Sequence, residues 1–275
     1  MSTTTLTPAT LRAARPQSTV PKGRVTFSNL LRSEWTKFWT IRSTRWSLAA
    51  GFALMLLGII VAAIQLNQTH ISADFNSIDA GVIGYRFADL AIAVLGVMII
   101  TGEYATGMIR STLMAAPART PVLWSKTAVF AAITFTTMLI ASFIAFFGVQ
   151  AVASSHGLQH AITDQNALRT VIGAAIALTG IGVFGLAIGA LLRNTAAAIS
   201  SVVALLFIGP LIVTLLPASI ANTINPYLPS SAIGSIATNV HAAHTLSPWT
   251  GLAVFAGWTA AFGAAAAIRL RTKDA

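Results

Sequence analysis

Six long apolar runs constrain this chain more than any other feature. Each is about 20 residues or longer, the length at which an α-helix crosses the hydrocarbon core of a bilayer. The runs do not alternate polar and apolar residues as the strands of a membrane β-barrel do. The sequence therefore predicts an all-α polytopic membrane protein. The predicted spans cover about residues 47–66, 82–100, 127–152, 168–192, 197–216 and 249–268.

The composition agrees with a membrane protein and excludes several classes of function. Of the 275 residues, 55% are hydrophobic and 9% are charged, whereas about a quarter of the residues in soluble domains are charged. The net charge is +10, but the basic residues lie beside apolar runs and form no patch on a folded domain, which argues against nucleic-acid binding. Because the chain has no cysteine, disulfides, thiolate metal sites and a cysteine nucleophile are excluded.

The distribution of basic residues predicts the orientation. With the N-terminus placed inside, 15 of the 17 Lys and Arg residues fall on the cytoplasmic side, and only Arg86 and Arg169 fall near outer ends of spans. This asymmetry is the positive-inside pattern, so we expect both termini in the cytoplasm. All five histidines are then expected outside: His70, His156, His160, His241 and His244.

The N-terminal tail and the membrane domain differ in composition. Residues 1–26 are rich in Ser, Thr, Pro and Arg, contain no apolar signal segment, and predict a disordered cytoplasmic tail. Residues 27–272 are expected to form a single transmembrane domain.

The stretch Phe27–Ser43 (FSNLLRSEWTKFWTIRS) separates apolar and polar residues at helical spacing. Tryptophan and phenylalanine on one face with basic residues nearby predict a helix lying in the membrane interface. Glu34 interrupts the apolar face, and we expect it to pair with Lys37 or to contact a partner. The stretch is thus either a plain anchor or an anchor that also contacts a cytoplasmic partner through Glu34 and Lys37.

The polar stretch Thr101–Lys126 (TGEYATGMIRSTLMAAPARTPVLWSK) separates the second and third spans. We expect a short cytoplasmic helix from Glu103 to Ala116, ended by Pro117 because the residue before a proline avoids the α region.

Several motifs together carry a resemblance. The chain resembles the permease subunit of type-2 ABC (ATP-binding cassette) transporters over about residues 27–272. The resembling motifs are Gly102-Glu103-Tyr104, Gly107 to Leu113 with the following Pro117, Arg119 and Lys126, Ser33 to Lys37 with Arg42 and Ser43 in the N-terminal helix, and Asn225 to Ile236 before the last span.

The resemblance implies an ATP-driven exporter of the bacterial plasma membrane. In that family the loop between the second and third spans carries a coupling helix that docks on a separate ATPase subunit. The resemblance places Glu103, Tyr104, Gly107 and Arg110 in this contact; the alternative is that Glu103 and Arg110 form a solvated pair of little energetic weight.

The resemblance also implies the partners. It implies two ATPase copies and two permease copies, as a homodimer or a heterodimer, with ATP and Mg on the ATPase and no cofactor on this chain. The sequence independently lacks the P-loop pattern G-x-x-x-x-G-K-[ST] that cradles ATP phosphates.

Two features inside the spans leave alternatives open. Asp89 lies in the second span with Arg86 three residues earlier, either as a structural ion pair near the outer end or as a pair on the substrate path. In the fourth span Gly185-x-x-x-Gly189 permits close helix approach, either within the chain or at a dimer seam.

The region around the last two spans is expected to be irregular. Pro210 is expected to interrupt the fifth span. From Pro217 to Pro248 the chain contains no charged residue and predicts short re-entrant or outward-lying helices. The resemblance makes this segment the outer gate, with Asn225, Pro226, Tyr227 and Pro229.

Other functions have weaker support. The spacing of His156 with His160 and of His241 with His244 could suit a metal, but we predict no metal site. An intramembrane enzyme would need a nucleophile, base or metal constellation within the spans, and none is apparent. A non-transporting membrane anchor or regulatory subunit remains the alternative to a permease. The cargo is unidentified, although spans rich in Ala, Gly and Leu favour an amphipathic or apolar substrate.

Overall fold

The computed structural model describes residues 26–68, 75–115, 119–164, 166–239 and 244–272. The expected N-terminal tail lies, apart from Thr26, outside the described residues, as do Pro117, His70 and His241. Within the described ranges the chain is mainly helical and forms no strand. The α-helices are α1 (Phe27–Thr40), α2 (Arg42–Leu66), α3 (Ser77–Val82), α4 (Tyr85–Ala105), α5 (Met108–Ala115), α6 (Arg119–Ser154), α7 (Ala167–Leu192), α8 (Thr195–Val203), α9 (Gly209–Thr214), α10 (Ala218–Ile224), α11 (Pro229–Gly234) and α12 (Pro248–Thr272).

Within the described residues, six helical segments are long and apolar enough to cross a membrane, which confirms the six predicted spans. Five of them are longer than their apolar cores, because backbone hydrogen bonding continues into the polar flanking residues. The segments are Arg42–Leu66, Ser77–Ala105, Thr120–Ser154, Ala167–Leu192, Thr195–Thr214 and Pro248–Thr272.

Helix α7 lies at the centre of the bundle and packs most closely on α4. A β-carbon on Gly96 would lie 1.9 Å from the carbonyl oxygen of Gly182, and one on Gly182 would lie 2.5 Å from the ring of Phe130, so both residues must be small. The Gly185-x-x-x-Gly189 pair faces the same neighbour: a β-carbon on Gly185 would lie 2.4 Å from the carbonyl oxygen of Ala93, and one on Gly189 would also meet α4. Gly185 and Gly189 therefore pack within the chain, which was the first of the two alternatives given for this pair; the second was a dimer seam.

The fifth span does not break at Pro210, so the expected interruption was wrong. Helix α8 continues through a π-helical segment, Ala204–Ile208, directly into α9. Proline has no N–H group, and its ring clashes with the carbonyl four residues earlier in a regular α-helix. One wider turn accommodates the ring, and the N–H of Gly209 donates to the carbonyl of Ala204, five residues earlier.

Between α9 and α12 the chain forms the short helices that the sequence predicted. Helix α10 is followed by a 3-10 turn (Asn225–Tyr227), by α11 and by a second 3-10 turn (Ser235–Ala237). Ala232 and Ile233 of α11 are buried, and the indole N–H of Trp258 in α12 donates to the carbonyl of Tyr227 at 3.0 Å.

Two ends of the bundle can be distinguished by the elements they hold. Helices α1 and α5 lie at the same end as the start of α6 and the last turn of α12, where the Arg271 guanidinium donates to Thr120 Oγ1 at 3.3 Å. We call this the basic end, and the end that holds α3, α10 and α11 the far end.

Candidate functional site

Four charged side chains from three helices meet at the basic end. We call Glu34 and Lys37 of α1, Glu103 of α4 and Lys126 of α6 the charged cluster. Lys126 Nζ donates to Glu34 Oε2 at 2.5 Å and to Glu103 Oε1 at 2.8 Å. Lys37 Nζ donates to Glu34 Oε1 at 2.8 Å and to Glu103 Oε1 at 3.0 Å. Each charge therefore contacts both charges of opposite sign, in a closed arrangement of no net charge.

The charged cluster is largely removed from solvent. Glu34 is 6% exposed, Glu103 4% and Lys126 3%, while the side chain of Lys37 is 23% exposed. Exposed ion pairs contribute little to stability. Losing one member of a buried pair costs about 3–5 kcal/mol, because the remaining charge has no compensation. The cluster thus fixes α1, α4 and α6 relative to one another.

Local features of α1 aim its two charges inward. The Thr26 hydroxyl accepts from the backbone N–H of Asn29 at 3.4 Å and caps the helix. Glu34 and Phe38, one helical turn apart, are the buried residues of α1. Ile41 has an extended backbone that ends α1 and begins α2, so the chain turns where the amphipathic helix meets the first span.

The environment of Lys37 favours its charged form. Desolvation by partial burial lowers the pKa of Lys37, but the hydrogen bonds and negative charges of Glu34 and Glu103 outweigh it and raise the pKa above its ordinary value. Lys37 is therefore protonated, as the arrangement of the cluster requires.

The predicted loop helix Glu103–Ala116 was wrong in its bounds and in the exposure of Glu103. Glu103 and Tyr104 belong to the last turn of α4. Gly107 then adopts a left-handed backbone with φ +73°, and α5 begins at Met108. Because the carboxylate of Glu103 pairs with Lys37 and Lys126 inside the protein, it is neither a solvated partner of Arg110 nor an exposed contact. Arg110 lies in α5, and its side chain is outside the described residues.

Glu34 and Lys37 have partners within the chain, and their contact with a cytoplasmic partner stays a prediction. Glu34 does pair with Lys37, as one alternative predicted, but the carboxylate is buried and also accepts from Lys126. Sequence reasoning missed Lys126 as a member of this site. The available signal was a lysine at the start of a predicted span, where a charge must find a partner.

Tyr104 connects α4 to the ends of two other spans. Its ring faces Arg193, whose guanidinium carbon lies 5.3 Å from the ring centroid. Arg193 Nη2 donates to the carbonyl of Arg269 at 3.2 Å, and Arg269 Nη1 donates to the carbonyl of Leu191. These arginines join α4, α7 and α12 at the basic end, a role that no local motif indicated.

At the far end Arg86 and Asp89 lie beside one cavity but do not form the proposed ion pair. Among the described residues, no contact within 4.0 Å joins their charged groups. Arg86 instead lies over the ring of Tyr85, with its guanidinium carbon 4.8 Å from the centroid. Asp89 Oδ1 is buried and has no hydrogen-bond partner within the described part of the chain. The cavity, of about 590 Å3, also contacts the π-helical segment and α11.

The predicted outer-gate residues lie on this cavity or next to it. Asn225 and Pro226 line it, and Asn225 Oδ1 accepts from Ser231 Oγ at 3.3 Å. Tyr227 is about half exposed, and Pro229 begins α11. The four residues are thus brought together at the far end, close to Asp89.

The described histidines lie in the loops that follow α6 and precede α12. No group of three metal-ligating side chains (His, Cys, Asp or Glu) occurs in the ranges that the structure describes. His160 Nδ1 lies 2.8 Å from Ser77 Oγ, so this imidazole takes part in the loop packing above α3.

No protein-family model matches the chain, and no curated protein matches its sequence.

Proposed function

We propose that this chain is the membrane-spanning permease subunit of an ATP-driven exporter of the type-2 ABC class, powered by a separate ATPase subunit. The cargo is an amphipathic or apolar molecule, and the complex contains two copies of each subunit in a bacterial plasma membrane. The proposal rests on one observation above all: a short helix, α5, lies at the basic end beside a buried cluster of charges that joins three membrane-associated helices.

The connection between α5 and the spans supports a coupling role. Helix α5 follows α4 after only Thr106 and Gly107, and it precedes α6. The last turn of α4 and the first turns of α6 are held to α1 by Glu103 and Lys126. A displacement of α5 by a docked partner would therefore act on α4, α6 and α1 together rather than on a free loop.

Helix α4 also connects the two ends of the bundle. It begins beside Arg86 and Asp89, which line the far-end cavity, and ends at Glu103 in the charged cluster. An uninterrupted α-helix transmits displacement along its axis because its backbone hydrogen bonds are continuous. Motion at the basic end would thus reach the cavity in which we place the outer gate.

The first experiment asks whether an ATPase accompanies the chain. The tagged full chain, purified from its native membrane in mild detergent, should recover a protein with a P-loop motif in equal amounts. The reconstituted complex should then move an amphipathic fluorescent substrate across the bilayer only when ATP is supplied. ATP hydrolysis without substrate movement would favour the regulatory-subunit alternative, and full transport by the isolated chain would overturn the proposal.

The second experiment tests α5 directly. Arg110→Glu reverses one charge on α5 and should lower substrate-stimulated ATPase activity roughly tenfold, the effect expected when a charged contact worth about 1.5 kcal/mol is lost. Arg45→Glu makes the same charge change at an exposed position in the first turn of α2 and should leave coupling intact. Equal activities of the two variants would contradict docking through α5.

A further inference from the structure

A second cavity, of about 310 Å3, opens beside the charged cluster. Its volume is at the low end of the range for small-molecule sites, about 300–1,000 Å3. Its wall is mainly apolar and combines α1, α2, α4 and α6. Phe38, Leu95, Ile99, Val129 and Phe130 form much of it. A single apolar tail fits this lining better than a bulky polar molecule.

The exposed residues that line the cavity are both apolar and polar. Ile41, Met98 and Met108 line it and are 41%, 37% and 40% exposed, respectively, and Ser43 and Thr106 are exposed there as well. The three apolar side chains lie where α1 turns into α2 and beside the last turns of α4. They give an apolar group a path from the membrane that does not require a polar group to be desolvated.

The charged cluster places an unpaired hydrogen-bond acceptor beside the cavity. Glu103 lines the cavity and is 4% exposed. Its Oε1 accepts from both lysines, whereas its Oε2 is buried without a hydrogen-bond partner among the described residues. Buried polar atoms are almost always hydrogen-bonded, so this oxygen is placed to accept from a bound molecule.

Because the cluster carries no net charge, it favours a neutral group as the donor to Glu103 Oε2. Two glutamates and two lysines leave no net charge beside an apolar wall. An ammonium or carboxylate head would bring an uncompensated charge into this environment, which is strongly unfavourable. A neutral O–H group satisfies Glu103 Oε2 without adding charge.

We infer that this cavity binds a small amphipathic molecule with one apolar tail and a neutral hydroxyl head, whose O–H donates to Glu103 Oε2. The inference concerns binding by this chain alone and does not depend on the proposed transport. Either a neutral hydroxyl lipid of the membrane or a transported molecule can supply this chemistry.

The test compares three photoreactive probes with the same tail: dodecanol, dodecylamine and dodecanoic acid, each carrying a diazirine. They are added at neutral pH to the purified full chain in detergent, and the labelled peptides are identified by mass spectrometry. The alcohol should label residues of the cavity roughly tenfold more strongly than either charged probe, since an unmade buried hydrogen bond changes affinity by about that factor. Equal labelling by the three probes, or none at the cavity, would overturn the inference.

A cavity-filling variant separates this site from general partitioning into detergent. Gly102 lines the cavity, and a β-carbon there meets no atom within 4 Å, so Gly102→Leu adds a bulky apolar side chain at the cavity without an immediate clash at its β-carbon. The matched control is Gly257→Leu in α12, where a β-carbon is equally free of contacts. Labelling by the alcohol should fall roughly tenfold in Gly102→Leu and persist in Gly257→Leu; equal labelling of both variants would exclude the cavity.

A second variant tests whether the charge of Glu103 determines which head group is bound. Glu103→Gln leaves the cluster with one excess positive charge, so the folded fraction isolated by size exclusion should now prefer dodecanoic acid to dodecanol. An unchanged preference for the alcohol would show that Glu103 does not select the head group and would overturn the assignment of the acceptor.

The two sources of the ligand give different results. If a membrane lipid is the occupant, a hydroxyl lipid should co-purify with wild type but not with Gly102→Leu, and the probe should remain bound during ATP hydrolysis. If transported cargo is the occupant, no lipid should co-purify, and ATP hydrolysis by an associated ATPase should release the probe. Either result supports the site, and failure of ATP-driven transport leaves the binding measurements unaffected.

Discussion

At the scale of single residues, each charge of the charged cluster depends on the others for compensation. Each lysine donates to both glutamates, so the removal of any one charge leaves a buried neighbour undercompensated. Replacing a whole buried ion pair with apolar residues changes stability little. Removing only one partner lowers stability strongly, because it leaves a buried charge uncompensated. The specific contribution of the cluster here is to define how α1, α4 and α6 meet.

Glu103→Gln should lower the free energy of unfolding by about 3–5 kcal/mol, read as a fall in Tm in detergent. Adding Lys126→Met restores charge balance and should recover part of the loss, so the two substitutions should be non-additive. Asp164→Asn, at a loop carboxylate that accepts from the backbone N–H of Ala161, is the matched control and should change Tm little. A Glu103→Gln protein as stable as this control would contradict the role of the cluster.

The raised pKa of Lys37 predicts an alkaline loss of stability. A lysine whose folded pKa lies above its ordinary value of 10.5 contributes stability that is fully present below that value. The contribution is lost as pH rises through the higher folded pKa. Lys37→Arg keeps its charge over this range, so the decline in Tm as pH rises above about 10.5 should be smaller in Lys37→Arg than in wild type. Identical pH profiles would show that Lys37 does not carry this dependence.

The charged cluster was only partly predictable from the sequence. Glu34 was expected to pair with Lys37 because the two lie three residues apart in an amphipathic helix. The pairing of Lys126 with Glu34 spans 92 positions and depends on how three helices pack. Hydropathy and local spacing carry no information about which distant charges meet, so the burial of Glu103 could not be derived.

At the scale of elements, the junction between α4 and α5 depends on one backbone conformation. Gly107 has φ +73°, a region that residues with a β-carbon enter at a cost. Gly107→Ala should therefore destabilise the protein by about 1–2 kcal/mol and reorient α5, although the new methyl group would touch no atom within 4 Å. Unfolding measurements in detergent give the first effect, and ATPase coupling in the complex gives the second.

Gly102→Ala is the matched control for this junction. Gly102 lies in the α4 helix, and a β-carbon there is also free of contacts. Replacing a helical glycine with alanine should stabilise by about 0.5–1 kcal/mol. The two substitutions thus add the same methyl group with opposite expected signs. A destabilisation shared by both would point to side-chain crowding rather than to backbone conformation.

The contact between α4 and α7 leads to a second prediction at this scale. Gly96→Ala would place a methyl group 1.9 Å from the carbonyl oxygen of Gly182, and backbone cannot yield as a flexible side chain can. We expect a loss of about 3 kcal/mol or more, seen as poor yield and a lowered Tm. Gly257→Ala in α12 meets nothing within 4 Å and should be expressed normally. Normal stability of Gly96→Ala would mean that the two helices lie further apart.

The boundaries of helices could be predicted where hydrophobicity determines them. They could not be predicted where the local backbone conformation determines them. The apolar runs located all six spanning helices. The break between α4 and α5 at Gly107 was missed because the polar residues of the loop were predicted to form one helix. Pro210 was read as a break because proline removes a hydrogen bond, whereas a single π turn proved sufficient to keep the helix continuous.

At the scale of the whole molecule, the six spanning helices follow from the sequence. Only helices and closed β-barrels satisfy backbone hydrogen bonds within a bilayer, and the long apolar runs lack the alternation of barrel strands. The arrangement of those helices does not follow from the sequence. Contacts such as that of Tyr104 with Arg193, or the far-end cavity formed by α4, α11 and the π-helical segment, arise from packing between elements distant in sequence.

The absence of cysteine from the sequence allows a direct test of orientation. Ser111→Cys, on the exposed surface of α5, should react with a membrane-impermeant maleimide only in inverted vesicles. Ser219→Cys, exposed in α10 at the far end, should react only in intact cells. Labelling of both positions from one side would contradict the predicted topology, and reversed labelling would place α5 outside and exclude docking to a cytoplasmic ATPase.

The sequence separation within the charged cluster has a consequence for biosynthesis. Glu34 and Lys37 leave the ribosome first, Glu103 follows 66 positions after Lys37, and Lys126 emerges last, 23 positions later. Until then the cluster has two acidic members and one basic member. Translation of the start of the third span supplies the second base, so a chain halted before it would leave one carboxylate of the cluster without its counter-charge.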